Sequence, residues 1–377
     1  MSKDINLSTT ALLLVRLRHF MRPLSLFVFI LFTAPQTLAA ADTYIVSELS
    51  GKDLSQVASK LNNLGDVAGR AAAAADGETR ATIWGRSHLK PKAVGVLLGG
   101  DYSAASDIND AGEVTGVSNT RSEMVPFVWT ASGRFEHLQL LRGDRCGQAA
   151  AINKHGHVVG YSSGPTGSKA FLWSRKTRTR PLGILPGGSY SRARDLNDFE
   201  EVAGTSASSA GERAVLWTGT DTVRDLGTLP GDTSSEATAI NNAGDVVGYS
   251  KGSRGIHAFI WTKHSGMQEI KMLPGGTLSR ALDISDSGDV VGSFTTASGD
   301  RAFKWNSQSG MVDLNTGDSL NLGMIFIEAH AINSAGQILV LGETVHQAHA
   351  SADSSSENYK CAPAPPSTFL LTPLPSR

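Results

Sequence analysis

The sequence predicts an all-β protein: a seven-bladed β-propeller of four-stranded blades, closed by its own N-terminal strand. Three observations carry this prediction. Every tryptophan of the chain, Trp84, Trp129, Trp173, Trp217, Trp261 and Trp305, lies in one register, with spacings of 45, 44, 44, 44 and 44 residues. Glycine keeps the same phase at Gly69, Gly116, Gly160, Gly204, Gly248 and Gly292. A polar residue does likewise at Asn62, Asn109, Asn153, Asn197 and Asn241, then Ser285 and Asn333. A repeat of about 40–45 residues with several short strands per unit is that of a propeller blade. The rungs of a β-solenoid, the competing architecture, recur at shorter intervals.

The first element is not part of the repeat. Arg22 precedes an apolar run over 24–34 (LSLFVFILFTA), followed by Pro35 and the small-residue exit TLAAAD. A basic flank, a short apolar stretch and an A-x-A end describe a secretory signal. The run is too short for a membrane span, which needs about 20 apolar residues, and a buried N-terminal helix is the other reading. A signal over 1–41, with a functional start at Met21, leaves a single propeller domain over 42–377. Removing Lys3, Arg16, Arg18, Arg22 and Asp4 takes the 34 basic and 35 acidic residues to 30 and 34, a net charge of −4. The expected address is secreted or periplasmic.

Residues 237–276 show one unit most clearly. The reading is four strands: ATAIN, then DVVGYS after an NNAG turn, then HAFIWT, then a fourth over 270–273 ending at Pro274–Gly275–Gly276. Alternation places Phe259 and Trp261 on one face of the third strand, and no stretch has a helical period. Asn241 and Gly244 fit a tight turn, Asn bonding its local backbone and Gly taking positive φ. Gly248 is expected to make room for the ring of Trp261. Unit four has Glu200 in place of the turn glycine, which predicts a different turn geometry there. Unit seven departs most, with Val340 at the strand glycine, Leu371 at the tryptophan and a polar insertion over 343–366.

The count fixes the closure. Turns and third strands number seven, but the repeats contain six fourth strands. The missing one is expected at residues 43–49 (TYIVSEL), directly after the signal. Joining it to the last unit removes the free sheet edges of an open array.

The AIN..G.VVG turn, the His257–Ala258–Phe259 strand and the LGTLPG end of unit four (226–231) make the repeat resemble the HAF-repeat family of bacterial extracellular proteins. The resemblance covers nearly the whole of 43–375. His-Ala-Phe occurs once, with Lys169, Arg213 and Arg301 in the histidine place of other units. The C-terminal LLTPLP (370–375) resembles the end of family members that continue into a sorting helix, which does not follow Arg377 here. The resemblance implies the fold and export, and no chemistry.

Composition narrows the function. A net charge of −1 for the whole chain offers no global attraction to nucleic acid, and no one-signed stripe with stacking aromatics occurs. The loops mix signs, as in Arg175, Lys176, Arg178 and Arg180 against Glu200 and Glu201. Cys146 and Cys361 are the two cysteines, which excludes a disulfide-dense scaffold; whether they pair is open. No nucleophile elbow, phosphate loop or zinc-protease helix is present. His155 and His157 have a metal-like spacing but sit in a turn where polar residues belong anyway. Asp107, Asp195 and Asp283 stand two residues before the turn Asn or Ser of every second unit, with Ala151, Ala239 and Ala331 between them. They could ring a channel and hold a hard cation, or bond to adjacent backbone. No catalytic, cofactor or metal residue is assigned. The reading is an exported, monomeric binding or scaffolding propeller for a glycan or a protein, with no nucleic-acid partner and no stable membrane anchor. An enzyme acting on a saccharide or phosphate at the channel mouth is the alternative.

Overall fold

Asparagine and glycine set the turns, and the turns set the blades. The computed structural model describes residues 44–49, 57–72, 78–87, 90–315, 323–344 and 366–374. The signal and most of the polar insertion, with Cys361, lie outside the described residues. In the fifth unit Asn241 Oδ1 accepts the main-chain N–H groups of Ala243 and Asp245 at 3.1 and 2.9 Å, and Gly244 takes φ +80°. The strands on either side are Asp232–Ile240 and Val246–Gly252, followed by Gly255–Thr262 and Gly266–Glu269. The fourth strand thus starts before the expected 270–273, because the chain reverses tightly after Thr262 and pairs at once from Thr262↔Gly266 to Phe259↔Glu269.

The described residues form seven four-stranded antiparallel sheets. Six are consecutive in sequence, spanning 57–95, 103–137, 146–181, 191–225, 232–269 and 278–313. The seventh combines Met324–Ile332, Ile338–Thr344 and Ser367–Pro373 with the N-terminal strand Tyr44–Glu48. The register runs from Tyr44↔Pro373 to Glu48↔Phe369, and Leu49 N–H donates to Thr368 O at 3.0 Å. Each first strand packs on the first strands of both neighbouring blades, including blade one on blade seven, so the innermost strands close a ring. The protein is a closed seven-bladed β-propeller.

The core lies between blades. Trp261 of blade five packs against Leu216, Leu226 and Leu229 of blade four. Trp217 of blade four lies on Leu172, Leu182 and Leu185 of blade three and donates from Nε1 to Gly183 O at 2.8 Å. At the seam, Leu49, Leu339 and Leu370 meet Leu61, Val67 and Trp84 of blade one. Burying large side chains between sheets is the main stabilising term, roughly 25 cal/mol per Å² of apolar surface.

Two expectations need correction. Gly248 does not face Trp261: it pairs with Phe259, and Val246 is opposite the tryptophan. A Cβ on Gly248 would lie 2.0 Å from Glu236 O and 2.9 Å from Ala237 Cα. The cause is a bulge in the first strand, between Ala237 and Ala239, that pushes backbone onto the second strand. The same irregularity recurs in all seven blades. Blades five and seven each have a second one, between Asp232 and Ser234 and between Phe326 and Glu328, and in blade seven Val340 stands in the place of the glycine. The turn of unit four also keeps the common geometry. Glu200 takes φ +61°, and its N–H bonds Asn197 O at 3.3 Å as the glycines do elsewhere.

Candidate functional site

The first-strand bulge decides what points at the axis. The residue directly after it is Lys60, Asp107, Ala151, Asp195, Ala239, Asp283 and Ala331 around the ring. Each aspartate reaches the next blade: Asp107 Oδ2 accepts Ile152 N–H at 2.8 Å, Asp195 Oδ2 accepts Ile240 N–H at 2.9 Å, and Asp283 Oδ2 accepts Ile332 N–H at 2.9 Å. Asp107 and Asp195 also cap Ile108 N–H and Leu196 N–H, both at 2.8 Å. Lys60 Nζ lies 2.6 Å from Asp283 Oδ1.

The positive charge among the aspartates is therefore a lysine of the chain itself. The sequence shows Lys60 in the same register, two residues before Asn62, but a search for carboxylates alone passes over it. Burial raises the carboxyl of Asp107 to about 7, against the lowering effect of Lys60 and the N–H of Ile152. Burial likewise raises Asp195 to about 6, with Lys60 opposing and Asp283 adding to the rise. Lys60 is held charged: burial acts against its ammonium, but the fields of Asp283, Asp195 and Asp107 outweigh that and raise its pKa.

Five residues before the turn Asn or Ser, the first strands carry a second ring, with Gln148, Arg192, Glu236, Arg280 and Glu328 in blades three to seven. Arg192 lies over the rings of Tyr161 and Tyr190, 5.3 and 5.7 Å from their centroids, and Arg280 lies 5.4 Å over Tyr249. Arg194 stands 3.7 Å from Glu236. Burial, with Glu236 beside it, raises the Tyr249 phenol to about 12; burial and the hydrogen bond to Glu212 do the same for Tyr190. Both phenols stay neutral near pH 7, and Tyr190 donates to Glu212 Oε1 at 2.5 Å.

The His155 and His157 rings are 6.1 Å apart, and His157 Nδ1 lies 3.0 Å from Glu200 Oε1. Among the described residues no group of three His, Cys, Asp or Glu side chains could hold a metal ion. Cys146 is exposed.

On the face carrying the Asn turns, a cleft of about 410 Å³ opens between blades four and five, lined by Phe199, Glu201, Thr218, Asn242, Ala243 and Lys263. Sequence reasoning missed it, because its residues come from four turns of two repeats. The one signal was the irregular Asn-Asp-Phe-Glu turn of unit four.

No protein-family model matches the sequence, and no curated protein matches it. Solved structures do. Virginiamycin B lyase from Staphylococcus aureus is 11% identical, with a TM-score of 0.53 over 88% of this chain and 99% of that one. The β-propeller domain of the Trilobed protease from Pyrococcus furiosus, described as having an open velcro topology, is 9% identical, with a TM-score of 0.53 over 84% of this chain and 93% of that one. TolB from Acinetobacter baumannii is 14% identical with a TM-score of 0.46, and the match spans 67% of this chain and 64% of that one. At these identities the likeness is one of fold: the chain shares the propeller architecture with proteins of several activities.

Proposed function

We propose that this chain is an exported binding or scaffolding propeller of the HAF-repeat type, acting without catalysis in the periplasm or outside the cell. The supporting observation is the use made of its converging titratable groups. A propeller enzyme needs acids and bases that converge on open space beside a substrate. Asp107, Asp195 and Asp283 instead hold main-chain N–H groups of the neighbouring blade, and Asp283 also holds Lys60. These bonds tie blade two to three, four to five and six to seven. A rigid ring then presents turns and clefts as a recognition surface for a glycan or a protein.

The test is a screen of the exported protein against immobilised glycans and divalent cations, followed by incubation with any sugar that binds. Retention of an unaltered sugar is expected, and its turnover would overturn the reading. Export has its own test: N-terminal sequencing of protein recovered outside the cytoplasm should begin between Ala40 and Asp42. A protein retaining residues 24–34 would refute the signal. The enzymatic alternative draws on one observation, the carboxyl of Asp107 at about 7, in the range of a general acid. Asp107→Asn should abolish any turnover found if that reading holds.

A further inference from the structure

The turn of unit four departs from the other six in two adjacent residues. Its third position is Phe199, where the others have Leu64, Ala111, His155, Ala243, Ser287 and Ala335. Its fourth is Glu200, where all the others have glycine. The turn keeps its form: Asn197 Oδ1 accepts Phe199 N–H and Glu201 N–H, each at 3.0 Å. Glu200 consequently sits in the left-handed region at φ +61°, which costs a residue with a Cβ about 1 kcal/mol. The same turn leaves Phe199 72% exposed at the edge of the cleft between blades four and five.

The rest of the cleft is polar and fixed. Lys263 Nζ donates to Glu201 Oε1 at 2.8 Å, and Asn197 Nδ2 donates to Glu201 Oε2 at 2.8 Å. Asn242 Nδ2 donates to Asp198 Oδ2 and Asp286 Oδ2 at 3.1 and 3.0 Å. Burial would raise the carboxyl of Glu201, but the hydrogen bonds from Lys263 and Asn197 hold it below its usual range. It therefore remains an acceptor at any physiological pH, and its charge cancels that of Lys263.

This combination selects a ligand class. An anion would find the cleft's lysine already neutralised. A peptide strand binds by adding to a sheet edge, and this surface is built of turns. A neutral sugar ring fits both halves: its C–H face can lie on the Phe199 ring, and its hydroxyls both donate and accept, as Glu201, Lys263 and Thr218 require. The volume is in the range of small-ligand sites and suits one or two sugar rings. We propose that the cleft between blades four and five binds a neutral saccharide, with Phe199 as the stacking platform and the Glu201–Lys263 pair as the polar contact. This deepens, and rests on, the reading of the protein as a binding propeller.

The experiment uses tetrasaccharides of glucose, mannose and N-acetylglucosamine, titrated calorimetrically into the wild type and three variants of equal melting temperature. At least one sugar should bind the wild type. Phe199→Ala should weaken that binding about tenfold or more, and Phe199→Trp should retain it. Leu98→Ala, removing an apolar side chain that is 100% exposed outside the cleft, should leave it unchanged. Equal binding by the wild type and Phe199→Ala places the sugar elsewhere and overturns this inference, while the binding reading stands. Failure of all three sugars to bind also overturns it and leaves a protein partner to the broader reading. Turnover of a bound sugar overturns the broader reading itself.

Discussion

The side-chain amide of Asn333 donates to the main-chain carbonyl of Asn62 at 3.0 Å, joining residues 271 positions apart. The same bond runs from Asn62 to Asn109, Asn109 to Asn153, Asn153 to Asn197, Asn197 to Asn241 and Asn241 to Ser285, at 3.0 to 3.2 Å. Each asparagine thus folds its own turn through Oδ1 and ties it to the next blade through Nδ2. The circle has one gap, because Ser285 has no amide to offer Asn333. Its hydroxyl instead accepts Asp289 N–H at 3.2 Å and bonds Ser287 Oγ at 2.8 Å. Ser285→Asn should complete the circle and add about 1 kcal/mol, raising the melting temperature by ~1–2 °C. An unchanged or lower melting temperature would show that the inter-blade amide bond contributes nothing net.

Lys60 is expected to govern how stability depends on pH. The carboxyls of Asp107 and Asp195 bind their protons more tightly in the folded chain, at about 7 and about 6, than in the unfolded one. Where the unfolded state binds fewer protons, stability falls as pH rises. These two groups therefore favour folding most below about pH 4, and that advantage shrinks as pH climbs through 6 and 7. Lys60→Met removes the field that restrains both rises and leaves Asp283 without its ion pair. Denaturant titrations at pH 5 and pH 8 should show the variant destabilised by about 3 kcal/mol or more at pH 8, and less at pH 5. Adding Asp283→Asn should recover part of the loss. Equal losses at the two pH values would refute the electrostatic role.

Gly248 tests which neighbour excludes a side chain. Since a Cβ there would meet the backbone of Glu236 and Ala237, Gly248→Val should cost several kcal/mol, above the ~1–3 typical of overpacking against movable side chains. Trimming Trp261 to Leu in the same chain should not restore stability, because the obstruction is main chain. Recovery in the double variant, read from melting curves, would return the cause to the tryptophan ring.

Ring closure rests on the strand Tyr44–Glu48. Tyr44 and Val46 pack with Phe326, Phe369 and Leu371, and Leu49 seats in the interface with blade one. A shortened chain lacking residues 42–49 would lose those contacts and bare the edge of the strand Ser367–Pro373. The expected result is a melting temperature lower by ~5 °C, the equivalent of about 3–4 kcal/mol for a chain of this size, with aggregation on heating. Adding back a synthetic peptide of residues 42–50 should restore part of the loss. If deletion leaves melting and solubility unchanged, the closing strand is dispensable.

The fold was legible because a propeller is a periodic object. Six tryptophans and six glycines in one phase, with seven Asn or Ser turns, specify the blades and their number. The shortfall of one fourth strand pointed to residues 43–49, and the pairing Val46↔Leu371 lies where that count puts it. Local chemistry sufficed there, since each Asn turn closes on atoms within four residues of itself. Interactions across the ring were not legible in the same way. Gly248 was read as making room for the Trp261 ring, whereas a bulge one strand away fills the space with backbone; at Gly204 the Trp217 ring does stand beside it, 3.0 Å from where a Cβ would lie. The aspartates were visible, but a cation already in the chain, Lys60, comes from a different blade and meets Asp283 only once the ring is closed. The cleft is the extreme case: Phe199, Asn242 and Lys263 belong to two repeats and stand together because neighbouring blades are packed side by side. Sequence fixes what a repeat does within its own 44 residues; the meeting of side chains from different repeats depends on the angle at which the blades pack, and packing exists only in three dimensions.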